Sequence, residues 1–426
     1  MGGKNTKEMA VTETETIGYG SRVGSSFKAM GFGALLVLAG IVLLWWNEGR
    51  TVHRADTIAE AQDAYVEMDN ISTVDPSFAG KLVHATGTAT TSETLNDYAF
   101  GISVNAIALE REVEYYQWDE TKKTETKDNL GGSQTKTTTY DYKKRWCNNP
   151  VKDDEFKDEA YRGKNFTLRD YKDEAWTAEV VNFGAYKLSK AQISSIGNAE
   201  DYNVELKGEK RQQWNEEVRN KYKKVTGAEG VEVDDAEWVH TAGNVVYFGK
   251  DPENPQIGDV RVTFTYVKPT TELSTIAVVS GTTFAAFHTK TGDFIETSVG
   301  IRSAGEMFTS AEESNNFIKW LCRLGGFLLI YFGLKNLFGL LVTILKIVPA
   351  LASIMNFGVG IVCGILAAAI SLVVIAIAWF FYRPILSICL LAVAGFLVWV
   401  FAFKGKDKLK ELANRGKQPA EAPVQQ

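Results

Sequence analysis

The sequence predicts a multi-pass α-helical membrane protein with four spans and a large extracytoplasmic or lumenal α+β, β-rich domain inserted between spans 1 and 2. Two observations lead to this fold class. The C-terminal part of the chain, residues 317–403, is almost entirely apolar. The middle part, residues 47–316, is polar, rich in β-branched and aromatic residues, and long enough to bury a core of its own.

Three of the spans follow from the length of their apolar runs. A helix needs roughly 20 apolar residues to cross a hydrocarbon core of about 30 Å. Residues 357–382 and 385–403 meet this requirement, and Arg383 and Pro384 between them predict a tight turn in the headgroups. Residues 29–46 form the first span. This segment ends in two tryptophans and not in a small-residue cleavage site, so we expect a retained anchor and not a signal peptide.

The boundaries of the remaining span depend on Lys335, a candidate intramembrane polar site. In one alternative the span covers residues 317–336, Lys335 reaches the headgroups, and residues 337–356 form an interfacial or loop helix. In the other, the span covers residues 324–345 and holds Lys335 near the midplane, at a cost of at least about 3 kcal/mol. We favour the first, because no acidic residue inside a predicted span offers the lysine a partner.

The basic residues predict the orientation. Residues 404–426 follow the last span and are rich in lysine, so we expect this basic tail in the cytoplasm. Four spans place both termini on one side of the membrane. Residues 1–28 show no apolar periodicity and are expected to form a disordered cytoplasmic tail. Residues 47–316 then face outward.

Two patterns dominate the polar domain. Residues 259–267 alternate strictly between apolar and polar side chains, which predicts a half-buried strand. Threonine-rich arms flank Gly131 and Gly132, which predicts a hairpin of two long antiparallel strands within residues 124–142. Further strands are expected at 82–91 and 104–118, and helices at 53–68, 186–196 and 209–224.

The composition argues against several functions. The net charge is −6 and there is no long basic tract, which argues against nucleic-acid binding. The four cysteines and four histidines have no metal-ligand spacing, so no cofactor or metal is expected. His84, His240 and His288 could supply acid/base chemistry only if the fold brings them beside carboxylates.

An ordered set of short motifs resembles the transmembrane protein 43 (LUMA) family over about residues 30–403. The motifs are Asn47-Glu48-Gly49-Arg50 after the first span, Gly80-Lys81-Leu82-Val83-His84, Tyr116-Gln117-Trp118, Gly258-Asp259-Val260-Arg261-Val262, Thr289-Lys290-Thr291-Gly292-Asp293 and Phe381-Tyr382-Arg383-Pro384. The resemblance implies a membrane scaffold that organises membrane protein complexes or envelope structure. It implies other membrane proteins as partners and a homo-oligomer embedded in the lipid bilayer.

The resemblance also implies a location. Eukaryotic relatives are expected in the endoplasmic reticulum and inner nuclear membrane, with lamins and emerin as partners. The polar tails and the Lys/Thr-rich segment 121–139 differ from the vertebrate pattern and favour a bacterial member in the cell (inner) membrane. Lamin- and emerin-type partners are therefore expected only if the chain is eukaryotic.

Two sequence features are candidate contact sites for lipid headgroups or partners. Residues Asn47, Glu48, Gly49 and Arg50 lie where the first span leaves the membrane, and their alternative role is a plain helix exit with interfacial charges. The second feature is the pair Arg383 and Pro384, whose alternative role is a turn that fixes the topology.

A third candidate lies within the third span. Gly360, Gly364 and Ala368 recur every four residues, and such small residues let helices approach closely, within one chain or between copies. The leading interpretation of the whole chain is a non-enzymatic scaffold. The alternatives are an interfacial enzyme acting on lipid or envelope substrate and a channel or transporter that depends on Lys335.

Overall fold

The computed structural model describes residues 11–227, 237–345, 349–382 and a few positions between 388 and 399, with the side chains of 345–356 left undescribed. Apart from those positions, the predicted fourth span, 385–403, lies outside the described residues. So do Arg383, Pro384 and the basic tail 404–426.

The described residues form five α-helices, of which three are long. Their bounds are α1 Tyr19–Ala64, α2 Lys190–Ser194, α3 Gly208–Thr226, α4 Ala304–Leu345 and α5 Pro349–Tyr382. Helices α1, α4 and α5 each contain a stretch long and apolar enough to cross a membrane. The 46 residues of α1 extend about 69 Å. This helix therefore continues well beyond the length that a bilayer core requires.

Two sequence-based expectations differ from the structure. Residues 11–28 form the first strand and the start of α1, so the expectation of a disordered tail is wrong for this part. The strand is polar, but it gains a neighbouring strand with which it can form ladder hydrogen bonds. Helix α4 continues through Lys335 to Leu345 and α5 begins at Pro349, so residues 337–356 do not form a helix of their own.

The strands lie mainly in two sheets. In chain order they are β1 Val11–Ile17, β2 Val66–Met68, β3 Leu82–Thr90, β4 Thr94–Asp97, β5 Ile102–Asn105, β6 Ala108–Asp128, β7 Gln134–Cys147, β8 Glu174–Thr177, β9 Asn182–Phe183, β10 Tyr186–Lys187, β11 Glu200–Asp201, β12 Val239–Ala242, β13 Val245–Phe248, β14 Val260–Val267, β15 Thr270–Ser280, β16 Thr283–Ala285, β17 Phe287–His288, β18 Asp293–Phe294 and β19 Glu296–Val299. The predicted hairpin is confirmed as β6 and β7.

The chain divides into two compact units. Unit 1 contains residues 57–125 and 136–311 together with the first 15 residues, and unit 2 contains 16–56, 126–135 and 312–426. Unit 1 holds the predicted β-rich domain, and unit 2 holds the apolar parts of the three long helices.

One sheet of unit 1 follows the order β1-β7-β6-β14-β13-β12, with β8 and β11 at the side. The alternation predicted for β14 is confirmed, because Val260, Val262 and Phe264 are fully buried. Helix α3 covers this core with Trp214 and Val218, the two apolar residues that stand out in its charged sequence.

The second sheet follows the order β19-β15-β16-β10-β9-β3-β2, and β15 also pairs along the whole of β3. Its core includes Phe183, Tyr186 and Phe284. A further cluster joins this sheet to the ends of the two long helices in unit 1, with Ile58 from α1 and Phe308 from α4. These helix ends are therefore part of the folded domain.

Candidate functional site

Glycines let α1 and α4 pack at very short distance in unit 2. A Cβ atom on Gly33 would lie 2.7 Å from the carbonyl oxygen of Gly333, and one on Gly40 would lie 2.8 Å from the carbonyl oxygen of Gly326. The helices are antiparallel, and the two glycines of each are seven residues apart, which returns them to the same helix face. The backbones are therefore in contact along this seam.

Two asparagines continue the same seam beyond the glycines. The Asn47 side-chain Nδ2 donates to the carbonyl oxygen of Lys319 at 3.1 Å, and the Asn315 Nδ2 donates to the carbonyl oxygen of Thr51 at 3.0 Å. Each helix thus sends one buried amide to the backbone of the other. This exchange fixes the register of α1 against α4.

A buried ion pair lies beside the asparagines and joins all three long helices. Glu48 of α1 is 0% exposed and accepts two hydrogen bonds from Arg323 of α4, from Nε to Oε1 at 2.7 Å and from Nη2 to Oε2 at 2.8 Å. Trp379 of α5 donates its indole N–H to the same carboxylate. The guanidinium carbon of Arg323 also lies 4.9 Å from the ring centroid of Trp320 and 5.8 Å from that of Trp379. We call Glu48, Arg323 and Trp379 the polar clamp.

The polar clamp explains why charges can lie at the end of an apolar bundle. A charged group near the bilayer that has no partner raises the free energy of the folded protein. A bidentate carboxylate–guanidinium pair avoids this cost, because each ion forms hydrogen bonds to the other. Removing one partner of such a buried pair typically costs about 3–5 kcal/mol. The clamp therefore holds α1, α4 and α5 together at one end.

The comparison with known proteins identifies the family. The family model of Transmembrane protein 43 matches residues 115–384. The chain belongs to the transmembrane protein 43 family. Among similar proteins, transmembrane protein 43 of Rattus norvegicus is 28% identical over 395 residues, which is 90% of this chain and 92% of the relative. The Homo sapiens protein is 27% identical over 389 residues, covering 88% and 90% of the two chains.

A more distant relative extends the range. The Drosophila melanogaster homolog of transmembrane protein 43 is 26% identical over 375 residues, 86% of this chain and 93% of the relative. No solved structure gives a significant match. The names of these relatives describe a transmembrane protein and no enzyme. The resemblance in the sequence is thus confirmed, as is an arrangement of apolar helices with a β-rich domain between the first and the second.

In this transmembrane protein 43 family member, the candidate contact site at the end of the first span, residues 47–50, contains three buried residues and one half-buried residue. Asn47 and Glu48 are fully buried in contacts between helices, and Gly49 is buried beside them. Arg50 is half-buried and donates from Nη2 to the Thr51 hydroxyl at 3.3 Å. Sequence reasoning found these residues but not the partners of Glu48. The sequence did contain a signal for this pair. Glu48 lies at the end of the first span, and Arg323 lies near the start of the next.

The small-residue candidate of α5 packs against α4 of the same chain. A Cβ atom on Gly360 would lie 3.7 Å from the hydroxyl of Tyr331, and one on Gly364 would lie 3.9 Å from its ring. Ala368, one turn further on, is half-buried. The amino group of Lys335 lies 5.7 Å from the centroid of the Tyr331 ring. The two sequence candidates in the apolar helices therefore meet at one tyrosine.

The three histidines lie on different strands and have different surroundings. His84 on β3 is buried and contacts Glu67 through Nδ1 at 2.6 Å. His288 on β17 is exposed and contacts Asp293 at 2.7 Å. His240 lies on β12 in the other large sheet. The structure thus places two of the histidines beside carboxylates, on separate strands, and does not bring the three together.

A buried carboxylate that the sequence marked only as part of a family motif lies near His240. Asp259 is 2% exposed, and its Oδ2 accepts from the Tyr247 hydroxyl at 2.5 Å and from the Gln256 backbone N–H at 2.7 Å. Burial raises the pKa of this carboxyl to about 6. A Cβ atom on Gly249 would lie 2.4 Å from Asp259, so glycine makes room for it.

A second buried arginine lies in unit 1. Arg111 on β6 donates to Asp97 at 2.5 Å and to Glu174 at 2.7 Å. Its guanidinium carbon lies 5.5 Å from the Phe100 ring centroid and 5.4 Å from that of Trp176. This cluster ties β6 to β4, through Asp97, and to β8, through Glu174.

Proposed function

We propose that this family member is a membrane-embedded scaffold that organises membrane protein complexes or envelope structure through its outer domain and its transmembrane helices. The polar clamp is the observation that carries this proposal. Glu48 and Arg323, together with Trp379, join three helices, as a framework requires.

The outer faces of the helices supply the second part of the proposal. On α1 the side chains of Leu35, Leu38 and Val42 point outward, at the three- and four-residue spacing of one helix face. Such a face can contact lipid or the apolar helices of another membrane protein. We therefore assign other membrane proteins and further copies of this chain as partners.

The location belongs to the same proposal. We place the β-rich domain away from the cytoplasm and the C-terminal tail in the cytoplasm, in line with the lysines of that tail. The expectation of a cytoplasmic N-terminal segment does not agree with residues 11–15, which belong to a strand of the β-rich unit. In a bacterium the membrane is the inner membrane, and in a eukaryote it is the endoplasmic reticulum or inner nuclear membrane. Lamin- or emerin-type partners apply to the eukaryotic case alone.

The experiment is a purification of the tagged full chain from native membranes under mild conditions, followed by native mass spectrometry. We expect a homo-oligomer, further membrane proteins, or both. Glu48→Gln should release them because it opens the helix bundle, whereas Glu60→Gln, an exposed position of the same helix, should not. A chain that purifies alone and as a monomer would contradict the proposal.

A further inference from the structure

The His84 side chain on β3 contacts two segments of unit 1 that are far apart in the chain. Its Nδ1 lies 2.6 Å from Glu67 Oε2 on β2, and its Nε2 lies 2.9 Å from the carbonyl oxygen of Arg302. Glu67 comes just after the end of α1 at Ala64, and Arg302 comes just before the start of α4 at Ala304. One histidine therefore contacts both the segment that follows α1 and the segment that precedes α4, within unit 1.

The sheet places these groups on one face and buries the ring. Glu67 pairs with His84 across β2 and β3, and His84 pairs with Ile276 across β3 and β15. Directly paired residues point to the same side of a sheet. That side carries the apolar cluster that contains Ile276 together with Ile58 of α1 and Phe308 of α4. His84 is 4% exposed, so its hydrogen bonds are made largely out of water.

Hydrogen-bond chemistry decides the charge of this ring. A backbone carbonyl oxygen can only accept, so the Nε2 that faces Arg302 carries a hydrogen. The Glu67 side chain is 53% exposed, and a carboxyl group with that access to water is ionised at neutral pH, so its oxygen also accepts. Nδ1 must then carry a hydrogen as well. Only the doubly protonated imidazolium donates to both acceptors at once.

The charged groups on the neighbouring elements agree with a positive ring. The basic residues of these segments, Lys81, His288 and Arg302, are exposed, so water screens their charges. The further charged residues on these elements are acidic: Glu60 and Asp63 of α1, Glu272 of β15, Asp293 of β18, Glu296 of β19 and Glu306 of α4. Carboxylates around the ring attract its positive charge.

The two acceptors differ in how they can respond when the ring loses a proton. The backbone at Arg302 is fixed, because its N–H donates to the Ser274 hydroxyl at 2.7 Å, and that hydroxyl donates to the carbonyl oxygen of Gly300 at 2.9 Å. Glu67 lies on β2, a strand of three residues at the edge of its sheet, and its carboxylate can turn into water. A neutral ring therefore keeps its hydrogen on Nε2 and presents a lone pair to Glu67.

We propose that His84 is a pH-sensitive switch for β2. The imidazolium holds Glu67, and with it β2, against β3, whereas the neutral ring releases Glu67 and keeps the hydrogen bond to Arg302. Histidine is the side chain that ordinarily changes charge between pH 5 and 8. Because the closed state binds a proton that the open state lacks, the closed state is favoured as pH falls and is lost as pH rises.

The first test reads the ring nitrogens directly by nuclear magnetic resonance. The full chain is prepared in lipid nanodiscs with nitrogen-15 in its histidine rings, and His84→Gln identifies the signals of this ring. We expect both nitrogens to be protonated at pH 6 and one of them to be unprotonated at pH 8. An unprotonated nitrogen at pH 6 would refute the imidazolium. Two protonated nitrogens at pH 8 would refute the switch.

The second test measures the release of β2 by hydrogen exchange of the full chain with detection by mass spectrometry. Exchange rates are corrected for the effect of pH on unprotected amides. We expect the protection of residues 66–68 to fall about tenfold or more between pH 6 and 8, because a hydrogen bond between charged groups contributes at least that factor. Residues 260–267 of β14, in the other large sheet, should keep their protection. An equal fall in both segments would contradict a local switch.

Two variants separate the His84–Glu67 pair from a general effect of pH. Glu67→Gln changes an exposed side chain, so the chain should fold, and it should abolish the pH dependence of residues 66–68. His288→Gln is the matched control, because His288 contacts Asp293 through the same Nδ1 atom at 2.7 Å but is exposed. The control should leave that pH dependence unchanged. A pH dependence that persists in Glu67→Gln, or that is lost in His288→Gln, would overturn the proposal.

Discussion

Two buried arginines of this protein use the same chemistry in two different environments. Arg323 in unit 2 and Arg111 in unit 1 each donate to carboxylate oxygens and lie against aromatic rings. The Arg323 partner Glu48 is 275 residues away, whereas the Arg111 partners are 14 and 63 residues away. The Arg323 cluster therefore joins helices that are far apart in the chain, whereas the Arg111 cluster joins β6 to the nearby strands β4 and β8.

The comparison teaches how the cost of a lost partner depends on access to water. Glu174, one partner of Arg111, has a side chain that is 54% exposed, so water can replace part of that interaction. Glu48 is 0% exposed at the end of apolar helices. We therefore expect mutations in the polar clamp to lower the free energy of unfolding more than mutations in the Arg111 cluster do.

The largest effect is expected for Glu48→Gln. It leaves the Arg323 guanidinium without a carboxylate and should lower the free energy of unfolding of the helix bundle by about 3–5 kcal/mol. Unfolding of the full chain in detergent micelles, followed by tryptophan fluorescence, measures this change. Glu60→Gln, exposed on the same helix, is the matched control and should change stability little. Equal stabilities of Glu48→Gln and Glu60→Gln would contradict the stabilising role given to the polar clamp.

Asp259→Asn tests a buried carboxylate held by a tyrosine and a backbone N–H. Because burial raises its folded pKa from 3.8 to about 6, the charged form destabilises the folded protein fully above pH 6 and not below pH 3.8. Relative to the natural chain, the variant should gain up to about 3 kcal/mol of stability as pH rises from 4 to 7. A pH series of unfolding free energies measures this difference.

The control for that series is Asp251→Asn. A hydrogen bond from the Asn254 side chain lowers the pKa of Asp251, so its folded-state advantage is present at neutral pH and lost as pH falls. The two variants should therefore shift the pH profile in opposite directions. Identical profiles would contradict the role given to the burial of Asp259.

The smallest of the three effects is expected for Arg111→Lys. Lysine keeps the charge but cannot contact both carboxylates in one plane while lying against the rings, so we expect a loss of about 2 kcal/mol. Thermal unfolding of the full chain measures it. Arg145→Lys, whose side chain is 61% exposed, is the control and should change stability by less than about 0.5 kcal/mol. A loss larger than that of Glu48→Gln would reverse the proposed order.

Much of the architecture could be predicted from the sequence. Apolar runs predicted α1, α4 and α5, and alternation predicted β14, because both signals are periodic over neighbouring residues. Gly131 and Gly132, inside the β6–β7 turn, predicted the hairpin. The packing of α1 on α4 was missed, although the seven-residue spacing of Gly33 and Gly40 is visible.

The partners of the charged residues could not be predicted in this way. Glu48 and Arg323 were both visible, yet nothing local to either residue indicated the other. The same holds for Arg22 and the loop at Asp128, which are separated by 106 residues. The expectation of a disordered tail failed at β1 for this reason, since its strand depends on a distant neighbour.

The sequence by itself determined where this protein can lie and which segments are helices or strands, because hydropathy and periodicity are properties of neighbouring residues. Only the tertiary structure decided what its polar residues do. A buried charge is stabilised by whichever group the fold places within hydrogen-bond distance, and that distance is set by the packing of whole helices and strands. The polar clamp and the ion pair between Arg22 and Asp128 are products of that packing.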